Sequence, residues 1–346
     1  MRSAIEARLR RSWSGAGGAG ALTAAVLPLE LLFRVGVAGR GAAYDLGVLR
    51  ARRAPVPVIS VGNLTVGGTG KTPVVGWLAR ALVAAGHRPG VAMRGHGRDE
   101  TLLHARWGSG GDVYVDRDRV RAARAAAAAG CDVVILDDGF QHRRLARDLD
   151  LVLVSAEQRF PGPLLPRGPF REPAAALGRA GWAIVTRRVA SAADAARVEA
   201  EVRAAAPRIR VARARLTPHA WQDVAGRPVE PPHGPVLAVA AIAGPEAFAA
   251  LVRAQTGAEP ELLAFPDHHE YAPADLERVR RAAAGRPVAV TEKDAVKLGA
   301  YAATLPDVRV LTLAVELEAG EDGLLADVLA VAGRSARESG AVKGER

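Results

Sequence analysis

Apolar residues in this 346-residue chain gather in short unbroken runs rather than in strict alternation. Residues 56–61, 132–136, 149–154 and 182–186 are rich in Val, Ile and Leu and are bounded by Gly, Pro or charged residues. Such runs suit strands buried on both faces, as in a parallel sheet covered by helices. Helix-periodic stretches lie between them: 72–85, with Pro73 in its first turn and Gly86 past its end, the Ala-rich 117–129 closed by Gly130, and 191–206. Val91 to Met93 reads as a further short strand and 208–216 as a basic-apolar one. Residues 217–234 hold four prolines and two glycines, so the chain is divided there. Alternation then resumes, with strands at 235–241, 261–265, 287–291 and 308–315 and helices at 245–255 and 273–284. The pattern predicts an α/β protein: a mostly parallel sheet flanked by helices over 41–218, a linker at 219–234, and a second, smaller α/β domain over 235–334. The polar residues 335–346 read as a disordered tail.

The most apolar stretch, residues 21–39, does not fit that scheme. Pro28, Glu30 and Arg34 interrupt it, which argues against a spanning helix or a secretory signal. With Arg2, Arg8, Arg10 and Arg11 ahead of it, residues 1–40 read either as a helix lying in a membrane interface, with Leu27, Leu31 and Val35 on one side, or as a helix packed on the core.

Composition narrows the partners. A formal charge of +10 points to anionic ligands or surfaces, yet aromatics are only 4% of residues, which disfavours single-stranded nucleic acid. The lone Cys131 excludes a disulfide framework and any multi-cysteine zinc site.

The candidate chemistry begins after the 56–61 run. Thr65-Val66-Gly67-Gly68-Thr69-Gly70-Lys71-Thr72 places glycines, then Lys and Thr, between a strand and a helix, the order that makes a phosphate cradle. The Walker pattern calls for Gly six residues before Lys71, where this chain has Thr65. Only four of its 47 basic residues are Lys, so lysine where arginine abounds suggests a slim point charge reaching into a phosphate loop. Lys71 would meet the terminal phosphates of a nucleoside triphosphate and Thr72 a Mg²⁺ ion. The 132–136 run ends in Asp137 and Asp138, as a strand that presents a carboxylate to Mg²⁺ does, and either could face the metal. The loops Arg94 to Glu100 and Gly162 to Pro173, the latter with Arg167, Arg171 and Glu172, are binding-loop candidates. Asp267-His268-His269 suggests proton transfer by a single His or a plain loop, rather than a metal site.

Taken together, PLELLFRV, VPVISVGNLTVGGTGKTP, RGHGR, DETLLHAR, DVVILDDGFQHRRLARDLDLVLV, LLPRGPFREP, FPDHHEY and TEKDAVKL resemble the tetraacyldisaccharide 4′-kinase family, in family order from about residue 25 to 330. The resemblance implies a P-loop NTPase-like core joined to a smaller α/β domain by a two-stranded linker. It implies ATP and Mg²⁺ as cofactors and transfer to the 4′-hydroxyl of an acylated disaccharide 1-phosphate. The place would be the cytoplasmic face of the inner membrane, peripherally on an anionic surface, with no nucleic acid and no obligate protein partner. By the same resemblance Asp99 is the base, assisted by His268, with Lys71 on the transferring phosphoryl, and Gln141, His142, Arg171 and Glu172 meet the acceptor. The chain departs from the family around the base: the usual spacer is absent, Arg98 stands where Gly is expected and His96 replaces Tyr, so Asp112 is a rival assignment. A P-loop ATPase acting as a partner switch is the alternative function.

Overall fold

The computed structural model describes Trp13 and residues 25–95, 98–107 and 111–334, with the side chains of Arg98, Asp99 and Ala300 outside the described set. The basic N-terminus and the tail at 335–346 also lie outside the described residues. Strands β1 (Val58–Asn63), β2 (Pro89–Met93), β3 (Asp112–Val115), β4 (Val133–Asp137), β5 (Leu149–Ser155), β6 (Trp182–Arg187) and β7 (Arg210–Gln222) belong to the first half. The second half supplies β8 (Leu237–Ala240), β9 (Glu261–Ala264), β10 (Val288–Thr291) and β11 (Val308–Ala319). All eleven form one sheet in the order β3-β2-β4-β1-β5-β6-β7-β11-β10-β8-β9. Every neighbouring pair is parallel except β7 with β11.

That one antiparallel pair sets the geometry of the molecule. β6 pairs with residues 210–215 of β7, and β10 pairs with residues 308–311 of β11. The stretch of β7 between those two pairings, about six residues or roughly 20 Å, is a two-stranded ribbon. The C-terminal edges of the two parallel halves therefore face each other along it, and α/β proteins bind ligands at such edges. The sequence ends this strand at 216 because of the prolines beyond it, yet the strand continues to Gln222. Pro218 is tolerated because it stands at the register shift between Leu311 and Leu313, where the ladder needs no donor.

Helices α1 (Leu27–Asp45), α2 (Lys71–Ala84), α3 (Arg98–Trp107), α4 (Arg119–Ala128) and α5 (Ala192–Ala205) belong to the first half. α6 (Pro245–Thr256), α7 (Pro273–Ala283), α8 (Glu292–Leu298) and α9 (Glu321–Ala332) follow. α2 packs Val74, Leu78 and Leu82 against Ile59, Val61 and Ile135, all wholly buried or nearly so. Burying each such side chain contributes about 1.5–3 kcal/mol. The opposite face buries Phe140, Val152, Val185, Val198 and Phe170. The second half buries both of its faces in the same way. One element crosses over: Leu324, Val328 and Val331 of α9 join the core of β1, α2 and β5. The stretch that the sequence assigns to the second unit thus returns its last helix to the first.

Three short elements escape a reading by periodicity: α3, β3 and α8. α3 is too polar to show an apolar stripe, and β3 is a four-residue edge strand with exposed ends. Asp99 therefore sits in the first turn of a helix and not in a loop.

Candidate active site

The loop between β1 and α2 is shaped by two left-handed glycines, Gly67 (φ 113°) and Gly70 (φ 89°). Thr65, where the Walker pattern has Gly, needs no such freedom; its hydroxyl donates to Gln158 Oε1 at 3.1 Å and its backbone bridges to Phe170. Neighbours brace the loop from three sides. Asn63 Nδ2 donates to Thr69 Oγ1 (2.9 Å), Thr186 Oγ1 donates to Thr69 O (2.8 Å), and Arg188 donates to Gly68 O (2.9 Å). From the proline-rich loop, Pro169 O accepts from Val66 N at 2.8 Å. The first intrahelical bond of α2 runs from Val74 N to Gly70 O, so the amides of Lys71 and Thr72 are helix-start donors with no partner one turn back. A helix N-terminus with lysine beside it is a site for phosphate.

Lys71 Nζ lies 3.5 Å from Asp138 Oδ1, and Arg171 forks onto both oxygens of Asp138 at 2.8 and 3.0 Å. Burial opposes the charged form of Asp138, but the two cations outweigh it and hold its carboxyl below the usual range. Asp138 itself takes φ 52°, a turn that Asp tolerates, and so swings away from the strand direction of Asp137. Asp137 is 3% exposed and its Oδ2 has no hydrogen-bond partner. Buried His104 of α3 places Nε2 3.5 Å from that oxygen, too far for a good hydrogen bond.

Among the described residues no group of three or more His, Cys, Asp or Glu forms a cage. Mg²⁺ needs none, because it takes one or two protein oxygens and fills the rest of its octahedron with phosphate and water. The buried, unpartnered oxygen of Asp137 fits that demand, together with the buried Thr72 at the start of α2.

Gln141, His142 and Arg171 line an open cleft of about 380 Å³ beside Asp138. Gln141 Nε2 donates to Asn63 O at 2.9 Å. Burial, then Arg119 nearby, pushes the His142 imidazole down to about 4. Glu172 does not join them; it is buried and paired with Arg179 at 2.8 Å. The rival base Asp112 starts edge strand β3 opposite Gly90, at the N-terminal edge of the sheet and away from Lys71. The side chain of Asp99 lies outside the described residues, but the next residue, Glu100, meets Lys293 of α8 at 2.9 Å. His268 has φ 59°, and its amide donates to Ala241 O at 3.3 Å.

With this geometry in view, similarity to known proteins becomes decisive. The family model for tetraacyldisaccharide-1-P 4′-kinase matches residues 22–106 and 99–332. The chain belongs to that kinase family. The tetraacyldisaccharide 4′-kinase of Xanthomonas euvesicatoria pv. vesicatoria (strain 85-10) is 42% identical over 304 residues, covering 80% of this chain and 85% of its own. That of Anaeromyxobacter sp. (strain Fw109-5) is 41% identical and covers 91% of this chain and 94% of its own. The crystal structure of LpxK from Aquifex aeolicus, in complex with ATP, superposes with a TM-score of 0.68 at 26% identity, covering 90% of this chain and all but 1% of that one.

Several side chains of this family member carry weight to which the sequence reading assigns no role. Asp294 and Lys297, in the TEKDAVKL string, are buried as an ion pair at 3.0 Å. Asp294 accepts from Ala241 N (3.1 Å), Tyr271 Oη (3.0 Å) and Thr291 Oγ1 (2.6 Å), while Lys297 donates to Ala241 O (3.1 Å). The pair thus clamps the residue that also holds the His268 amide. It fixes the start of the 241–244 loop as well, whose Ala243 lies against Gly67 and Gly68. His104 likewise gives no sequence signal beyond its place in DETLLHAR.

Proposed function

We propose that this kinase transfers the γ-phosphoryl group of ATP to the 4′-hydroxyl of a tetraacyldisaccharide 1-phosphate, in the assembly of lipid A. Family membership carries the reaction, and the braced glycine loop before Lys71 carries its nucleotide half. The sugar oxygen attacks the γ-phosphorus as the bond to the β,γ-bridging oxygen breaks, and ADP leaves. Asp99 accepts the hydroxyl proton, and His268 orients or relays it. Lys71 and the amides at the start of α2 neutralise charge on the transferring group, which has a loose transition state and gains most from positioning and charge. Mg²⁺, when bound, would neutralise phosphate charge; Thr72 and Asp137 are the residues to hold it, while Asp138 sets the position of Lys71 and Arg171.

The same reading extends to organisation and location. Residues 41–218 with α9 act as the nucleotide unit and 235–319 as the smaller unit, joined through 219–234 and the β7/β11 ribbon. α1 lies in the cytoplasmic surface of the inner membrane. What supports this is an outward apolar stripe: Leu31, Leu32 (69% exposed) and Val35 (70% exposed) face solvent while Glu30 is buried. Among the described residues no helix is long and apolar enough to cross a membrane.

The test is incubation with Mg-ATP and a tetraacylated disaccharide 1-phosphate, followed by mass analysis for a bisphosphorylated product. Asp99→Ala is expected to abolish transfer with ATP still bound; loss of transfer in Asp112→Ala instead would overturn the assignment of the base.

A further inference from the structure

Two buried side chains next to Asp138 lack the hydrogen bonds that burial normally demands, and they lie against each other. His104 of α3 is 1% exposed, and neither of its ring nitrogens has a hydrogen-bond partner among the described residues. Asp137, at the end of β4, is almost as buried, and its Oδ2 is likewise without a partner. His104 Nε2 stands 3.5 Å from that oxygen. The imidazole packs edge-on against the Trp107 indole, with ring centres 5.4 Å apart. An imidazole stranded in this way costs stability that a leucine of similar size would not. Folding alone would thus favour an apolar residue here. A polar side chain that breaks the local rule beside a candidate metal ligand is the pattern of a functional position.

A carboxylate oxygen has two lone-pair directions, so Asp137 Oδ2 can take a metal on one and a donor on the other. Carboxylates that ligate metals are commonly steadied by such a hydrogen bond from behind. The cations Lys71 and Arg171 are engaged by Asp138 and do not supply it. The separation of 3.5 Å exceeds a good N–H···O distance by about half an ångström, within reach of a small turn of the ring. The helix gives this contact a further consequence. Asp99 is in the first turn of α3 and His104 follows five residues on, about 7.5 Å along the axis.

We propose that His104 is a positioning residue: its Nε2–H steadies Asp137 for the metal and so ties the metal carboxylate to the helix of the base. The inference rests on the kinase reading above and adds to it a coupling between metal binding and the placement of α3, which by linkage acts in both directions. Glutamine, whose Nε2 reaches about as far as that of the imidazole, can replace the donor; leucine replaces only the shape.

The test measures the affinity of the full chain for β,γ-imido-ATP by calorimetry, in Mg²⁺ and in EDTA, with no turnover involved. The wild type is expected to bind more tightly in Mg²⁺. His104→Leu should cut that gain by about tenfold and leave the affinity in EDTA within about twofold; His104→Gln should recover part of the loss. Melting of the ligand-free protein carries the opposite sign: His104→Leu, which removes two unmet nitrogens, should melt at or above the wild-type temperature. Hydrogen exchange of residues 101–107 should slow when Mg²⁺ joins the nucleotide in the wild type, and much less in His104→Leu. A gain unchanged in His104→Leu, an equal loss in Mg²⁺ and EDTA, or a glutamine variant no better than leucine would each overturn the inference and leave the kinase intact. A marked fall in the melting temperature of His104→Leu would make His104 a plain core residue, with the same result. Equal wild-type affinity in Mg²⁺ and EDTA would remove the metal site and the inference with it, and a wild type that binds the nucleotide in neither would overturn the kinase reading itself.

Discussion

Glu30 is the residue whose removal tests most of this architecture at once. It interrupts the apolar N-terminal run, yet it is 1% exposed. Its Oε1 accepts from Leu164 N at 3.0 Å and its Oε2 from Arg167, so it ties α1 to the proline-rich loop. Burial opposes its charge, but Arg167 and the Leu164 amide more than compensate and lower its carboxyl below the ordinary glutamate value. Glu30→Ala would strand the Leu164 amide at a cost of about 2 kcal/mol. The lost ion pair, discounted because Arg167 is about one-third exposed, adds about 1 kcal/mol. A total of about 3 kcal/mol corresponds to a change of roughly 150-fold in an opening equilibrium. Hydrogen–deuterium exchange of residues 162–171 reads this directly: protection at Leu164 should fall by about two orders of magnitude in Glu30→Ala. Glu30→Gln, which keeps an acceptor for the amide, should lose much less. Unchanged protection at Leu164 in both variants would refute the anchor. The carboxyl pKa is lowered on folding, so this contribution is present above the unfolded value of 4.5 and disappears as pH falls through the folded one.

Three further outcomes follow from the site. Gly70→Ala puts a Cβ 2.6 Å from Leu216 Cδ1 on a backbone at φ 89°, so ATP affinity by calorimetry should fall about tenfold, and Leu216→Val should restore only the part due to the clash. Asp137→Asn should raise the Mg²⁺ needed for half-maximal transfer by at least about tenfold, whereas Asp138→Asn should chiefly raise KM for ATP by freeing Lys71 and Arg171; the reverse pattern would exchange their roles. His142 falls from 6.5 to about 4 on folding, so the unfolded chain takes up its proton first and stability drops as pH falls through that interval; in His142→Gln the urea midpoint should vary less with pH there.

What the sequence reveals divides along physical lines. Runs such as 149–154 and 182–186 emerge as strands within a residue of their observed ends, because burial on both faces leaves an unbroken apolar signal. The cradle is legible for the same local reason: two left-handed glycines and a helix start must be adjacent in the chain. The apolar side of α1 is also visible, but neither its outward orientation nor the inward turn of Glu30 is, since Glu30's partners Leu164 and Arg167 are more than 130 residues away. Distance in sequence hides the cleft likewise, whose arginines come from α1, the loop after β2, the start of α4 and the residues before it, and the proline-rich loop. The choice between Asp137 and Asp138 depends on one backbone angle, which no pattern of residue types encodes.

That dependence on distant parts is greatest at α3. By chain order it belongs with the nucleotide unit, and Trp107 at its end packs on Gly76 of α2, where even a Cβ would come within 2.7 Å of the indole. Yet apart from Thr101 on Met93 and His104 near Asp137, its polar contacts go to the linker and the other half. Trp107 Nε1 donates to Glu292 at 2.7 Å, Arg106 donates to Val224 O at 3.0 Å, and Glu100 meets Lys293. Glu292 is held in place from both sides: burial pushes its carboxyl up, while the Trp107 and Leu313 donors pull against that. A rigid rotation about the β7/β11 ribbon cannot move the smaller unit without straining one of these two sets of contacts. Helix α3, with Asp99 in its first turn, is thus a shared wedge, and the loop bearing His268 is clamped to the same unit through Ala241, Asp294 and Lys297. On the proposed roles of Asp99 and His268, any closure carries α3 and the 268 loop towards Lys71 together, so folding would set how the two lie relative to each other and motion would adjust only their distance to the phosphate.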